Sequence, residues 1–362
     1  MKYIIQVLFV IITFNVCYGQ EFNTYTIKTE KGKKIIENKA PLWKDKRIEL
    51  KYYRQIGKLE GDNENYLFNL PICLAIDSKN NLYVGEQGNI RIQKFDKDLN
   101  YIKTIGREGQ GPNEFEIVGI IIIQRDTLYV MSSFRNISVL TLDGKEIRRI
   151  HMPMRIAREL YVTKTGLIIA NFDIDKLNIL RRQNNKEIEV MYPVVKYPAI
   201  YDRNGIFLKE FGSEMDFGND FANYKLNVWN FVYDESDFLY LYFGYHNRIE
   251  KFSPDGEFIY RVTWPVGYKI SIPKKRGMEQ LITRGGGIDH KNRVWILMVN
   301  RLLYVREVKP EDMYFAVFDK EGILLCFVPV PRKESFQIIG DSMFFINRDD
   351  TYCIYEYKII EK

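Results

Sequence analysis

An internal repeat limits what this chain can fold into more than any other feature. Leu82-Tyr83-Val84 followed by Arg91-Ile92-Gln93-Lys94-Phe95 is matched by Leu239-Tyr240-Leu241 followed by Arg248-Ile249-Glu250-Lys251-Phe252, with Tyr and Phe twelve positions apart in both. The apolar, aromatic first half recurs as Leu128-Tyr129-Val130, Leu167-Ile168-Ile169, Val294-Trp295-Ile296 and Met343-Phe344-Phe345, six occurrences in all. A second marker, an apolar residue running into an acidic turn, recurs at Phe95-Asp96, Leu142-Asp143-Gly144, Tyr201-Asp202, Phe252-Ser253-Pro254-Asp255-Gly256 and Phe318-Asp319. Short aromatic strands and polar turns repeated every ~40–50 residues are the pattern of a propeller, in which each unit is one radial sheet.

Each unit reads as four strands, in the first Cys73 to Asp77, Leu82 to Val84, Ile90 to Phe95 and Tyr101 to Ile105. The markers place units near 70–106, 117–151, 156–212, 226–265, 283–330 and 334–360. The predicted fold is therefore all-β, a six-bladed β-propeller of four-stranded antiparallel blades. The last unit lacks room for an outer strand. Ile48 to Ile56, ending in Gly57 as the first outer strand ends in Gly106, is expected to supply it and so remove an open edge. Extra residues near 181–200 and 298–313 read as insertions into blades three and five. A β-sandwich with a second domain would not repeat both markers in one order, and helical periodicity is too sparse for a doubly wound fold.

Residues 1–19 carry the marks of a secretory signal: Lys2, an apolar run from Tyr3 to Phe14, and Cys17-Tyr18-Gly19 before Gln20. Cleavage is expected after Gly19; the alternative, a membrane anchor, needs ~20 apolar residues to span a bilayer and this run is shorter. The chain is thus expected to be exported, to the periplasm or cell surface. Cys17 raises lipidation, which Phe14 and Val16 fit poorly. Residues 20–47 are expected to form an N-terminal extension and 48–362 a single propeller domain, without a transmembrane segment and monomeric. Net charge is +6, with 53 Lys and Arg interspersed among 47 Asp and Glu, so no concentrated field for nucleic acid is present. Lys274-Lys275-Arg276 is a short basic run that reads as a solvated loop. Cys73, Cys326 and Cys353 are odd in number and lie in apolar runs, which suits small buried hydrophobes better than disulfides.

Pro71, the turn Asp77 to Asn81, Leu82-Tyr83-Val84 and Asn89-Ile90-Arg91-Ile92-Gln93-Lys94-Phe95 together resemble an NHL repeat. Ile105-Gly106-Arg107-Glu108-Gly109-Gln110-Gly111-Pro112-Asn113-Glu114-Phe115 resembles the inter-blade linker of a bacterial exported six-bladed propeller family, and Asn38-Lys39-Ala40-Pro41-Leu42-Trp43 is similar to that family's N-terminal region. Only units one and four match residue by residue. The resemblance implies a fold and an exported location, and it carries no common activity.

Propeller enzymes commonly hold a metal on the axis, which needs several hard or imidazole ligands converging from inner strands. The inner strands offer Glu159, Asn230 and Gln337 as channel-lining candidates, with Arg158 adding a competing charge. His151, His246 and His290 fall in three different loop classes. No nucleophile elbow or phosphate-binding loop is present, and Gly285-Gly286-Gly287 reads as a close backbone approach near the axis. No catalytic residue, metal or cofactor is therefore assigned. The loops between second and third strands present Glu86, Phe134 and Arg135, Phe172 and Asp173, Tyr245 and His246, Arg301 and Tyr304, and Arg348. Rings beside Arg suit recognition of a protein, peptide or glycan. The expected function is a non-enzymatic exported propeller binding such a ligand on its loop-bearing face. The alternative is a metal-dependent hydrolase or lyase with its site in the central channel.

Overall fold

A computed structural model describes residues 23–58, 61, 63–153, 156–172, 197–275, 280–299, 309–349 and 351–362. The expected signal peptide, Asp173, Arg301, Tyr304 and most of both expected insertions lie outside them, as does the side chain of Arg158. Among the described residues six four-stranded antiparallel blades follow one another along the chain, one of them extended by two further strands. Their inner strands are Pro71–Ile76, Ile121–Gln124, Ile156–Val162, Trp229–Tyr233, Thr283–Ile288 and Ser335–Ile339. Blade six takes its outer strand from Ile48–Ile56, antiparallel to Ile354–Glu361 over its whole length.

The core proves the ring. Six buried clusters exist, and each spans one pair of adjacent blades. Tyr83 and Ile92 meet Leu128 and Val130 between blades one and two, and Ile168 meets Ile137 between two and three. Tyr161 meets Phe231, Tyr240 meets Phe318 and Trp295 meets Phe345. Ile354 and Phe344 meet Val84 and Phe95, which joins blade six to blade one. A sheet blade has two faces to bury, so only a closed ring leaves neither exposed. The three cysteines are buried, and burial pushes the thiols of Cys73 and Cys326 up to about 12 and about 11.

The turns explain the second sequence marker. In nine of them a side-chain oxygen accepts the backbone N–H four residues on: Asp77, Thr163, Asp234 and Asp289 after inner strands, and Asp96, Thr141, Asp202, Ser253 and Asp319 before outer ones. In each the third residue after the acceptor has positive φ, glycine at five positions and Asn80, Leu99, Asp237 and Asn292 at the others. The acceptor thus closes a turn whose left-handed residue costs least as glycine. In the second blade the acceptor is Thr141, whereas the acidic residue read from sequence, Asp143, is 86% exposed at its side chain.

Two elements depart from expectation. Blade two's inner strand begins at Ile121 rather than Ile117, and Gly119 before it is packed so tightly on Met131 that a Cβ there would lie 2.0 Å from Cε. The expected N-terminal extension contains a hairpin, Tyr25–Glu30 and Lys33–Asn38, and its second strand pairs in parallel with the outer strand of blade four, Phe258–Thr263. Blade four is therefore six-stranded. Ile35 and Ile36 are buried there, and Asn38 bridges blades: its amide donates to the carbonyls of Thr263 and Gly322, and its oxygen accepts the N–H of Leu324. Leu42 and Trp43 then donate backbone N–H groups to Leu324 and Leu325 of blade five.

Candidate binding site in the central channel

The six inner strands enclose a cavity of about 650 Å³ along the axis. Inner strands of a propeller run side by side in one direction, so their first residues share one mouth with the loops between second and third strands. The mouth at the other end belongs to the turns. Arg284, second residue of the blade-five inner strand, lines the cavity and is exposed within it. No hydrogen bond or ion pair holds its guanidinium among the described residues. Arg348, in the loop between second and third strands of blade six, donates one bond of 3.0 Å to the carbonyl of Ile72 at the start of the blade-one inner strand. That bond fixes the side chain at the same mouth and leaves its other donors uncommitted.

The rest of the wall is largely aromatic and apolar, with Ile72, Leu74, Ile121, Phe336 and Ile338, and with Tyr233, Tyr242 and Glu159 as polar members. Burial and the Glu159 charge raise both tyrosines above their ordinary value, Tyr233 to about 12, so both stay protonated donors. Gly285, Gly286 and Gly287 make room for Phe336, Tyr242 and Ile338, whose side chains would lie 2.9, 2.8 and 2.8 Å from an added Cβ. The close approach expected of this triplet is thus one of neighbouring aromatic and aliphatic side chains. At the turn-side mouth stand Lys164, Glu235 and His290.

The expected channel candidates are divided by the structure. Glu159 and Gln337 line the cavity. Gln337 is committed, however, since its side-chain oxygen accepts the N–H of Leu74 at 2.7 Å and clasps blade six to blade one. Asn230 is half-buried on the blade-four inner strand and does not line the cavity, to which that strand contributes Phe231, Val232 and Tyr233. Nearby aspartates are also spent. Asp234 accepts from Ser236, Phe238 and the Tyr240 hydroxyl, and Asp289 from Lys291, Arg293 and the Trp295 indole. Among the described residues, no three His, Cys, Asp or Glu side chains stand together to hold a metal ion.

Of the expected loop-face residues, Arg348 reaches the channel and Arg135 is exposed on the loop Ser132–Asn136. Glu86 has a different role. It is fully buried and its carboxylate accepts from Arg91, Asn69 and Asn89 at 2.8, 2.8 and 2.7 Å, so no ligand can use it. Tyr245 is half-buried with the Lys225 ammonium 5.4 Å from its ring centre. His246 packs against Phe217, and burial followed by the charges of Arg248 and Arg261 pushes its imidazole down to about 4, so it is neutral at neutral pH. Its histidine siblings are far apart in the fold: His151 ends an outer strand and bonds Asn136, and His290 sits at the opposite channel mouth. Arg284, Tyr233 and Tyr242 were not expected. Reading the blade-five strand from Gly286 rather than Thr283 excluded Arg284, and one bulky polar residue directly before the glycine triplet was the available signal.

No family model and no curated relative matches the chain. Solved structures do. A Bacteroides fragilis NCTC 9343 protein that carries the description of an exported protein superposes with TM-score 0.58 at 12% identity, over 91% of this chain and 100% of its own. A member of the DUF4221 family from Bacteroides vulgatus ATCC 8482 gives TM-score 0.57 at 13% identity, over 88% and 100%. The PQQ-bound aldose sugar dehydrogenase of Streptomyces coelicolor gives TM-score 0.50 at 13% identity, over 87% and 99%. At such identities what is shared is the fold, and this chain is accordingly a six-bladed β-propeller similar to bacterial proteins described as exported.

Proposed function

We propose that this is an exported, monomeric, non-enzymatic propeller of the NHL-like kind that binds a protein, peptide or glycan at its loop-bearing face. In this reading residues 48–362 form one domain behind a leader removed after Gly19, with no cofactor and no nucleic-acid partner. One observation carries it: the loop-side mouth opens into a cavity of about 650 Å³ whose rim holds two arginines that have no carboxylate partner among the described residues. A concave, largely apolar site with a few convergent polar groups is the usual form of a ligand pocket. The polar groups that an axial metal would need are supporting evidence too, because Gln337, Asp234 and Asp289 already hold backbone and side-chain donors.

The test is retention of envelope glycans and peptides on the immobilised mature chain, compared with Ile72→Trp, which narrows the loop-side mouth beside Arg348. Retention lost by the variant, with its melting temperature unchanged, supports the reading. Equal retention by both chains overturns it. Turnover of a lactone or peptide that a chelator abolishes would favour the metal-dependent hydrolase or lyase instead.

A further inference from the structure

Resting on that reading, we infer that the ligand carries a carboxylate, and that Arg284 and Arg348 hold it at the loop-side mouth. The argument is one of contrast within the molecule. Where this chain sets an arginine against a strand or turn it supplies the acid itself: Arg91 has Glu86 at 2.8 Å, Arg261 has Glu250 at 2.7 Å, and Arg293 has Asp289 at 2.7 Å. Even the fully buried Arg248 has Glu250 at 3.7 Å, while Arg135 and Arg203 are exposed to solvent, outside the channel. Arg284 and Arg348 differ from both groups, having no acid partner among the described residues yet lining a concavity.

Their surroundings narrow the ligand further. Arg284 belongs to blade five and Arg348 to blade six, and the Ile72 carbonyl anchors the second at the boundary with blade one. A guanidinium presents forked N–H donors that match the two oxygens of a carboxylate, so two of them at one mouth form a site for that group. Within the channel the Phe336 and Tyr242 side chains offer flat apolar surface that suits a neutral group rather than a second charge. The acid therefore stays at the rim and the neutral remainder of the ligand points inward. A hexuronic acid at the end of a glycan and the terminal carboxylate of a peptide both have this form.

Isothermal titration of the mature chain separates the sources. The probes are a neutral trisaccharide bearing one terminal hexuronic acid, its methyl ester, a tetrapeptide with neutral side chains ending in a free carboxylate, and the same peptide amidated. One acid should bind at least about tenfold more tightly than its neutral counterpart, as expected when a charge-assisted pair is replaced by a neutral contact. Which acid does so names the source. Arg284→Gln and Arg348→Gln should each weaken that probe by about fivefold or more and flatten its salt dependence. Neutral and acidic probes binding alike, or an R284Q/R348Q double variant that keeps its affinity for the acid, would overturn the inference while leaving channel binding intact. If none of the four binds, the acid inference falls, and retention on wild type against Ile72→Trp separately decides the channel.

Discussion

At the scale of single residues, the two best-matched repeat units carry one arginine in two electrostatic settings. Arg91 and Arg248 occupy the same repeat position. The position that holds Glu86 in the first unit holds Phe243 in the second, so Arg248 stacks on that ring, 3.5 Å from its centre. Arg248 is fully buried, bonded to the Asn227 oxygen at 3.0 Å, and only loosely paired with Glu250 at 3.7 Å, so its Nε and Nη1 groups find no acceptor within hydrogen-bond reach. Buried donors without acceptors cost stability, whereas removing one partner of a buried ion pair leaves a charge uncompensated. Arg91→Met should therefore destabilise the fold by about 2–4 kcal/mol, the Glu86 carboxylate being left with neutral donors only. Arg248→Met should cost less than about 1 kcal/mol or raise stability, since Glu250 keeps Arg261. Urea unfolding of both variants checks the contrast, and equal losses would show that Arg248 is held by more than its visible partners.

At the scale of the element, the turn is the unit that the sequence repeats most faithfully. Asp77, Asp234 and Asp289 do the same work: each accepts the N–H groups two and four residues on and a polar hydrogen from the aromatic residue six on, Tyr83, Tyr240 or Trp295. One side chain thereby fixes the turn, its left-handed residue and the ring that enters the inter-blade core. Thr141 makes only the bond to the fourth residue on among these three. Asp234→Ala should cost about 2–4 kcal/mol, three donors being orphaned, and Thr141→Ala about 1 kcal/mol or less. Chemical denaturation of the two alanine variants measures the difference. A smaller loss for Asp234→Ala than for Thr141→Ala would mean that the turn is held by its backbone alone.

At the scale of the whole molecule, closure is the decisive contact. The pairing of Ile48–Ile56 with Ile354–Glu361 completes the last blade and lets Ile56 and Ile354 enter the cluster shared with blade one. A chain beginning at Gly57 should lose its single cooperative unfolding transition and aggregate, because two hydrophobic faces and a strand edge are then open together. Calorimetry against the mature chain would detect this, and an unchanged transition would mean that the ring holds without its clasp. The six-bladed plan, its closure and most strand positions were legible before any coordinates, because aromatic alternation and turn chemistry are local and repeat at a readable period, whereas the inner strands of blades two and five begin elsewhere than expected. The parallel addition of Lys33–Asn38 to blade four was not, since nothing near those residues says which of six outer edges they meet. The site divided in the same way. Arg348 was legible as a loop residue, but whether a side chain faces axis or neighbour depends on where each inner strand starts, and a shift of one residue reverses it. The sequence by itself determined the repeat, the turns and the number of blades, all set by contacts a few residues apart. Only the tertiary structure decided which polar groups are spent inside the ring and which two arginines reach its mouth without an acid, because those partners lie on different blades and meet only when the circle closes.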